Sequence, residues 1–276
     1  MIGSERIEYK NAGQIRLMRA AGLVVADALD AVAGTIAAGV TTAQLDAVAE
    51  GVIRGAGATP SFIGVGHPPF PATLCVSVND EVVHGIPGSR VLEPGDVVSV
   101  DCGAVLEGWH GDAAFTAVLP GQPGADDRAD LALNDATREA LWHGIAAMAV
   151  GERLNAIGSA IQDSVEDAYG LVEDYGGHGI GTSMHQPPHV LNYRTRDAGP
   201  RLKAGICLAI EPMLTRGDPA TRIRDDEWTV VTRDGGNAAH WEHTVALTRD
   251  GVWVLTARDG GEAELARLGA PFAPLG

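Results

Sequence analysis

Val97-Val-Ser-Val-Asp101-Cys-Gly-Ala-Val-Leu-Glu-Gly-Trp-His-Gly-Asp112 decides how the rest of the chain is read. Apolar Val97, Val98 and Val100 lead into Asp101, and a second β-type run, Phe115-Thr-Ala-Val-Leu119, follows Asp112. Leu106-Glu-Gly108 has turn chemistry, so the stretch predicts a β-hairpin. A turn centred near residues 106 and 107 sets Asp101 opposite Asp112. Carboxylates facing each other across a ladder repel, and no Lys or Arg occurs from residue 91 to 122 to relieve them. A bound metal ion is the natural counter-charge. A register slipped by one residue would instead send the two side chains to different faces.

Outward from the hairpin, 276 residues suffice for one large domain with a sizeable core. Hydrophobic residues make up 45% and charged residues 20%, the balance of an ordinary globular chain. A net charge of -16 argues against broad binding to nucleic acid, although a local basic patch could still dock on RNA. Cys75, Cys102 and Cys207 are odd in number and include no C-x-x-C pair, which argues against a disulfide framework or zinc ribbon and fits a reducing compartment. Residues 1–10 contain no apolar h-region and no long apolar run follows, so neither a secretory signal nor a membrane span is expected.

Amphipathic patterns predict helices over 11–32, with Ile15, Met18, Ala21, Val25 and Leu29 on one face, and from Thr42 as N-cap to Ile53. The Gly- and Pro-rich residues 64–71 read as a loop or pocket rim. A strand is expected at 75–78, and residues 122–128 form a linker. Helices follow at 130–150 and 154–169, then a glycine-rich turn around His178 and a polar loop over 185–200. Strands are expected at 206–210, as a pair near 227–232 and 240–247, and at 253–256. Residues 266–276 read as a flexible tail with little to hold them.

The chain also aligns with itself. Leu92-Glu-Pro-Gly-Asp-Val-Val-Ser-Val-Asp101 matches Leu202-Lys-Ala-Gly-Ile-Cys-Leu-Ala-Ile-Glu211 without a gap. Residues 39–53 match 151–165, Gly66-His67 matches Gly177-His178, and His110-Gly-Asp112 matches His240-Trp-Glu242. The expected architecture is therefore α+β, one domain over 1–265 with pseudo-symmetric halves at about 11–120 and 121–256. Acidic residues would meet at the seam of a central antiparallel sheet flanked by helices. Asp101, Asp112, Glu211 and Glu242 all end or follow apolar runs, and four buried acids cannot all ionise without cations. With one imidazole they form a mostly hard donor set suited to Mn, Fe, Co or Zn, two ions sharing bridging carboxylates.

At these residues the sequence resembles the short, bacterial-type methionine aminopeptidases of the pita-bread metallopeptidase fold. The resemblance is carried by Ser77-Val-Asn-Asp-Glu-Val-Val-His84-Gly-Ile-Pro87, Asp101 with Asp112, and Gly177-His178-Gly-Ile-Gly181 with His185. Ala209-Ile-Glu211-Pro212 and Trp241-Glu242-His243-Thr244 complete it, over about 11–256. It implies an enzyme that removes the initiator methionine from nascent chains whose next residue is small, by attack of metal-activated water on the first peptide bond. Asp101 would chelate one ion, Asp112 and Glu242 would bridge both, and His178 and Glu211 would hold the other. Glu211 would shuttle the proton, His185 would donate to the developing oxyanion, and His84 would contact the substrate backbone. Phe70, Cys75, Met184 and Trp228 would line an apolar pocket for the methionine side chain.

Blander readings compete: His84 as a turn cap, His185 as a surface residue, Phe70 and Trp228 as plain core aromatics. His67 and His189 read as rim residues, and His110, His240 and His243 as packing around the ligands. The Pro-rich 64–71 loop departs from the family, where Tyr and Cys are commoner, which touches tolerance at the second substrate residue. The resemblance further implies a cytoplasmic monomer with transient ribosome contact and no membrane or nucleic-acid substrate. Rival readings are a prolidase-like or Xaa-Pro peptidase of the same fold and a non-catalytic binding module. The former carry a whole domain before the first ligand, and a binding module would have lost ligands that are all present here.

Overall fold

A computed structural model describes residues 6–165 and 167–276. Residues 1–5, half of the segment read as lacking a signal, lie outside that range, as does Glu166 of the helix expected to reach 169. The elements, in chain order, begin with α1 (Ala12–Ala33), α2 (Thr42–Gly55), β1 (Thr59–Pro60), β2 (Leu74–Val78) and β3 (Glu81–Val83). The long hairpin β4 (Val97–Leu106) and β5 (Trp109–Val118) follows, then α3 (Arg128–Val150), α4 (Asn155–Ser164), β6 (Gly170–Leu171), β7 (Gly177–Gly179) and β8 (Gln186–Val190). The last part holds β9 (Cys207–Ile210), β10 (Met213–Thr215), β11 (Thr221–Ile223), β12 (Val230–Thr232), β13 (Ala238–His240), β14 (Glu242–Leu247), β15 (Val252–Val254) and α5 (Glu262–Arg267). No helix is long and apolar enough to cross a membrane among the described residues.

Capping boxes start the first two helices. Asn11 Oδ1 accepts from Gln14 N while Asn11 N donates to Gln14 Oε1, and Thr41 and Gln44 repeat the exchange. The cap of α2 is thus Thr41 and not Thr42, whose buried hydroxyl donates to the Gly88 carbonyl instead.

The main sheet runs β1-β4-β5-β14-β9-β7-β8, with β2 on β4 and β15 on β14. Every named pairing within it is antiparallel. The pleat sorts the side chains by period two. Val98, Val100 and Cys102 pack with Val25, Leu45 and Ile53 of α1 and α2. Leu208, Ile210 and Val245 pack with Leu141, Ile145 and Ile157 of α3 and α4. The helices therefore cover one face of the sheet, and the alternate residues of the same strands are left for the other.

Several expectations are corrected. Glu107 and Gly108 both have positive φ, 51° and 79°, and close a two-residue turn with Leu106 paired to Trp109. Asp112 therefore faces Gly103 while Asp101 faces Ala114, so the two acids share a face one diagonal apart rather than standing opposite. The glycines around His178 do not make a turn. Gly177 and Gly179 belong to β7, flanked by β8 and β9, and a Cβ on them would run into the carbonyls of Ala209 and Pro187. The residues after His185 are not all loop, since Gln186–Val190 forms β8 at the sheet edge, where Pro187 and Pro188 leave no ladder donor unmet. Helix α4 stops at Ser164, short of 169.

The strands near 230 and 242 do not pair with each other: β12 joins β11 and β3, whereas β14 joins β5, β9 and β15. On β4 the neighbour is β2, in the place that β7 takes on β9, so the match of His67 with His178 does not hold in space. Finally, residues 266–276 are held. Val252 N donates to the Pro271 carbonyl, Ala273 N donates to that of Val252, and Phe272 and Leu275 pack against the core.

Candidate metal centre

Five adjacent strands each bring one candidate ligand to the face away from the helices. Asp101 on β4 pairs with Ala114 on β5, and Ala114 pairs in turn with Glu242 on β14, so the two acids share a row with only a methyl between them. Glu211 follows Ile210, the partner of His243, and so continues that row on the far side. Asp112 and His178 stand two residues off it, along β5 and β7, and keep the same face. Gly103 makes room opposite Asp112, since a Cβ there would lie 2.9 Å from both Phe62 Cε1 and Ser61 Cβ.

The distances are short. His178 Nε2 lies 3.5 Å from Glu211 Oε1 and 3.9 Å from Asp112 Oδ2. Asp112, His178 and Glu242 offer donor atoms within 4.8 Å of one another. His240 Nε2 is 4.0 Å from carboxylate oxygens of both Glu211 and Glu242. Burial raises every acid: Asp101 to about 7, Glu211 to about 8, and Asp112 and Glu242 well above the carboxylate range, the last three also through neighbouring negative charge. Burial lowers His178 to about 4 and His240 to about 3, so both rings are neutral at pH 7. The Nδ1 of His178 lies 3.0 Å from the Gly179 carbonyl. A neutral ring donating there turns its Nε2 lone pair toward the acids.

A divalent cation fits this constellation. Asp101 Oδ1, Asp112 Oδ1 and Glu242 Oε1 are buried without a hydrogen-bond partner, a costly condition that a cation would relieve. The donor set of carboxylate oxygens and one imidazole nitrogen suits first-row divalent ions.

The acids open into a small pocket of about 70 Å³, whose walls combine Asp101, Asp112, Glu211 and Glu242 with Phe62, Phe70, Cys75, Met184 and Trp228. Phe70 meets Trp228 edge to face at 5.1 Å between centroids. The indole Nε1 of Trp228 donates to the Pro68 carbonyl at 2.9 Å, and a Cβ on Gly66 would lie 2.5 Å from the same ring, so the Pro-rich loop is pinned against the indole. Of the imidazoles placed in the site by sequence, His185 stacks edgewise on His178 at 4.4 Å. His84, at φ 60°, stands between Tyr175 and Trp228, where a groove of about 420 Å³ opens beyond the acids. His189 lines that groove and His67 is exposed on the loop. Sequence reasoning missed Phe62, Val65 and Tyr175 as lining residues. Only the aromatic preceding the Gly/Pro-rich loop hinted at Phe62.

The sequence matches the profile of metallopeptidase family M24 over residues 16–249. The chain belongs to metallopeptidase family M24. Within M24 it is 52% identical over 254 residues to methionine aminopeptidase 1 of Mycobacterium tuberculosis, a match covering 89% of this chain and 93% of that protein. The crystal structure of methionine aminopeptidase from Thermotoga maritima superposes with a TM-score of 0.87 at 38% identity, over 92% of this chain and all of that one. Prolidase from Pyrococcus furiosus shares the M24 fold at a TM-score of 0.70 and 20% identity, and only 65% of its length is covered. The pita-bread architecture follows from these superpositions.

Proposed function

We propose that this M24 enzyme is a methionine aminopeptidase that removes the initiator methionine from nascent chains whose second residue is small. The observation that carries the reading is the convergence of Asp101, Asp112, His178, Glu211 and Glu242 on one sheet face, in a pocket whose other wall is the apolar cluster of Phe70, Cys75, Met184 and Trp228. Asp101 would hold one divalent ion, His178 and Glu211 a second, and Asp112 and Glu242 would be shared, with Mn, Fe, Co or Zn fitting the donors. Such ions polarise a carbonyl and acidify bound water.

The chain's own groups do the rest. Phe70, Cys75, Met184 and Trp228 receive the methionine side chain, and the softness of the thiol and thioether suits its sulfur. The groove past His84 takes the following residues in extended form. His84 orients the substrate backbone, and the His185 ring donates to the carbonyl oxygen as it gains charge. Glu211 takes a proton at its carboxylate and returns it to the leaving amine. The substrates would be met in the cytoplasm, at a transient contact with the ribosome.

Purified protein incubated with Met-Gly or Met-Ala peptide should release free methionine in a metal-dependent way, and Glu211→Ala should abolish it. Release from Xaa-Pro peptides in preference to Met-Ala would favour the prolidase-like alternative.

A further inference from the structure

The six-residue stretch from Gly181 to Gln186 carries two residues of the proposed site, Met184 in the pocket and His185 against His178. At its near end it is tied to the sheet, with Ile180 N donating to the Cys207 carbonyl and His110 N to that of Gly181. Its outer side is fastened by a segment with no part in the mechanism so far. Glu8 accepts from Thr182 N at 3.2 Å and from the Thr182 hydroxyl at 3.0 Å. Lys10 is buried, its side chain 1% exposed. It lies 3.4 Å from Glu8 Oε2 and donates to the Glu8 carbonyl at 3.0 Å and to Gln186 Oε1 at 3.4 Å. Gln186 Nε2 donates back to the Thr182 hydroxyl at 3.3 Å, closing a ring of four side chains across the base of the stretch. The strap is itself anchored, because Lys10 N donates to the Gly205 carbonyl at 2.7 Å. Gly181 lets it lie flush: a Cβ there would come 2.5 Å from Lys10 Cε.

A buried ammonium is expensive unless paired and hydrogen-bonded. The chain meets that cost at a place where both ends of one short stretch are gripped at once, at Thr182 and at Gln186. Between those grips the backbone has little freedom, and the His185 ring is held in register with His178.

We propose that Glu8 and Lys10 are positioning residues for His185: the N-terminal strap sets the reach of that ring toward the substrate carbonyl. The proposal rests on the oxyanion role given to His185 above. A donor that acts on developing charge is felt in the transition state more than in the bound substrate, so its misplacement appears in kcat rather than KM. Displacements of about 1 Å cost up to roughly 100-fold.

The test is a double-mutant cycle on the metal-loaded enzyme with a Met-Ala peptide. Lys10→Met should lower kcat by roughly tenfold with KM little changed. In a His185→Ala background the same substitution should cost less than about twofold, because the ring that it positions is gone. Equal losses in both backgrounds, or a lowered Tm with kcat intact, would overturn the proposal while leaving the role of His185 standing. A His185→Ala enzyme of wild-type kcat would remove that role and the proposal with it. Should Lys10→Met not fold, Gly181→Ala, whose methyl would push the Glu8 and Lys10 side chains off the stretch, must show the same dependence on His185.

Discussion

His178 Nε2 lies 3.5 Å from Glu211 Oε1, and with no metal bound burial favours the uncharged form of both partners. Glu211 titrates at about 8 and Asp101 at about 7 in the folded chain, against ~4 when unfolded. Across that window the folded state keeps protons that the unfolded state has released, so stability falls as pH rises. The histidines act in the opposite sense. With His178 and His84 lowered to about 4 and His240 to about 3, their contribution is lost on acidification and complete above ~6.5. Metal-free protein should therefore show a Tm that declines from about pH 6.5 to about pH 8, restored at the upper end by a divalent ion. Calorimetry with and without chelator reads this directly; an unchanging Tm would contradict it.

Asp112→Asn removes a buried acid whose Oδ1 has no partner. Metal affinity should drop by at least roughly 100-fold, measured by equilibrium dialysis. The metal-free protein should nevertheless be little destabilised, since burial already favours the neutral form of the Asp112 carboxyl, which the amide resembles in shape. Destabilisation of the apo form would show that Asp112 is satisfied by something other than a cation.

Gly177→Ala places a methyl against the Ala209 carbonyl between two paired strands. The overpacking should cost about 1–3 kcal/mol. Because His178 is the next residue, metal affinity should fall with it, whereas Gly55→Ala, where a Cβ meets nothing, should leave both unchanged.

Trp228→Phe keeps an aromatic wall but loses the donor to the Pro68 carbonyl. About 1 kcal/mol of anchoring for the 64–71 loop should go, which predicts a KM for Met-Ala peptide raised by roughly fivefold. Initial-rate kinetics would show it, and an unaltered KM would mean that the loop stays closed without the indole.

Deleting residues 271–276 removes Phe272 and Leu275 from their packing and two hydrogen bonds on Val252. A loss of about 2–4 kcal/mol is expected in urea denaturation.

The candidate acids were legible where an apolar strand pattern leads into them, as in Val97-Val-Ser-Val-Asp101 and Leu208-Ala-Ile-Glu211. Composition and period two suffice for that. The Asp101–Asp112 register was not, because Glu107 takes positive φ in the turn, a conformation that a Glu does not announce. The role of the glycines at 177 and 179 was hidden for a related reason. Glycine signals a turn and a close strand approach with the same letter, and only the positions of Ala209 and Pro187 separate the two. The anchoring of the last ten residues depends on Val252 and Arg16, far away in the chain, and so has no local signature.

The proposed ligands are drawn from five neighbouring strands and spread from residue 101 to residue 242, with β14 inserted between β5 and β9. No fragment that stops before Glu242 owns a complete set of donors. With this proposed ligand set, a chain still being made would be unable to assemble the site piecemeal; metal loading would wait until the last central strand has slotted in. Each newly made molecule would be inert until that event, and would then acquire charge neutralisation and a clasp across the central sheet in one step.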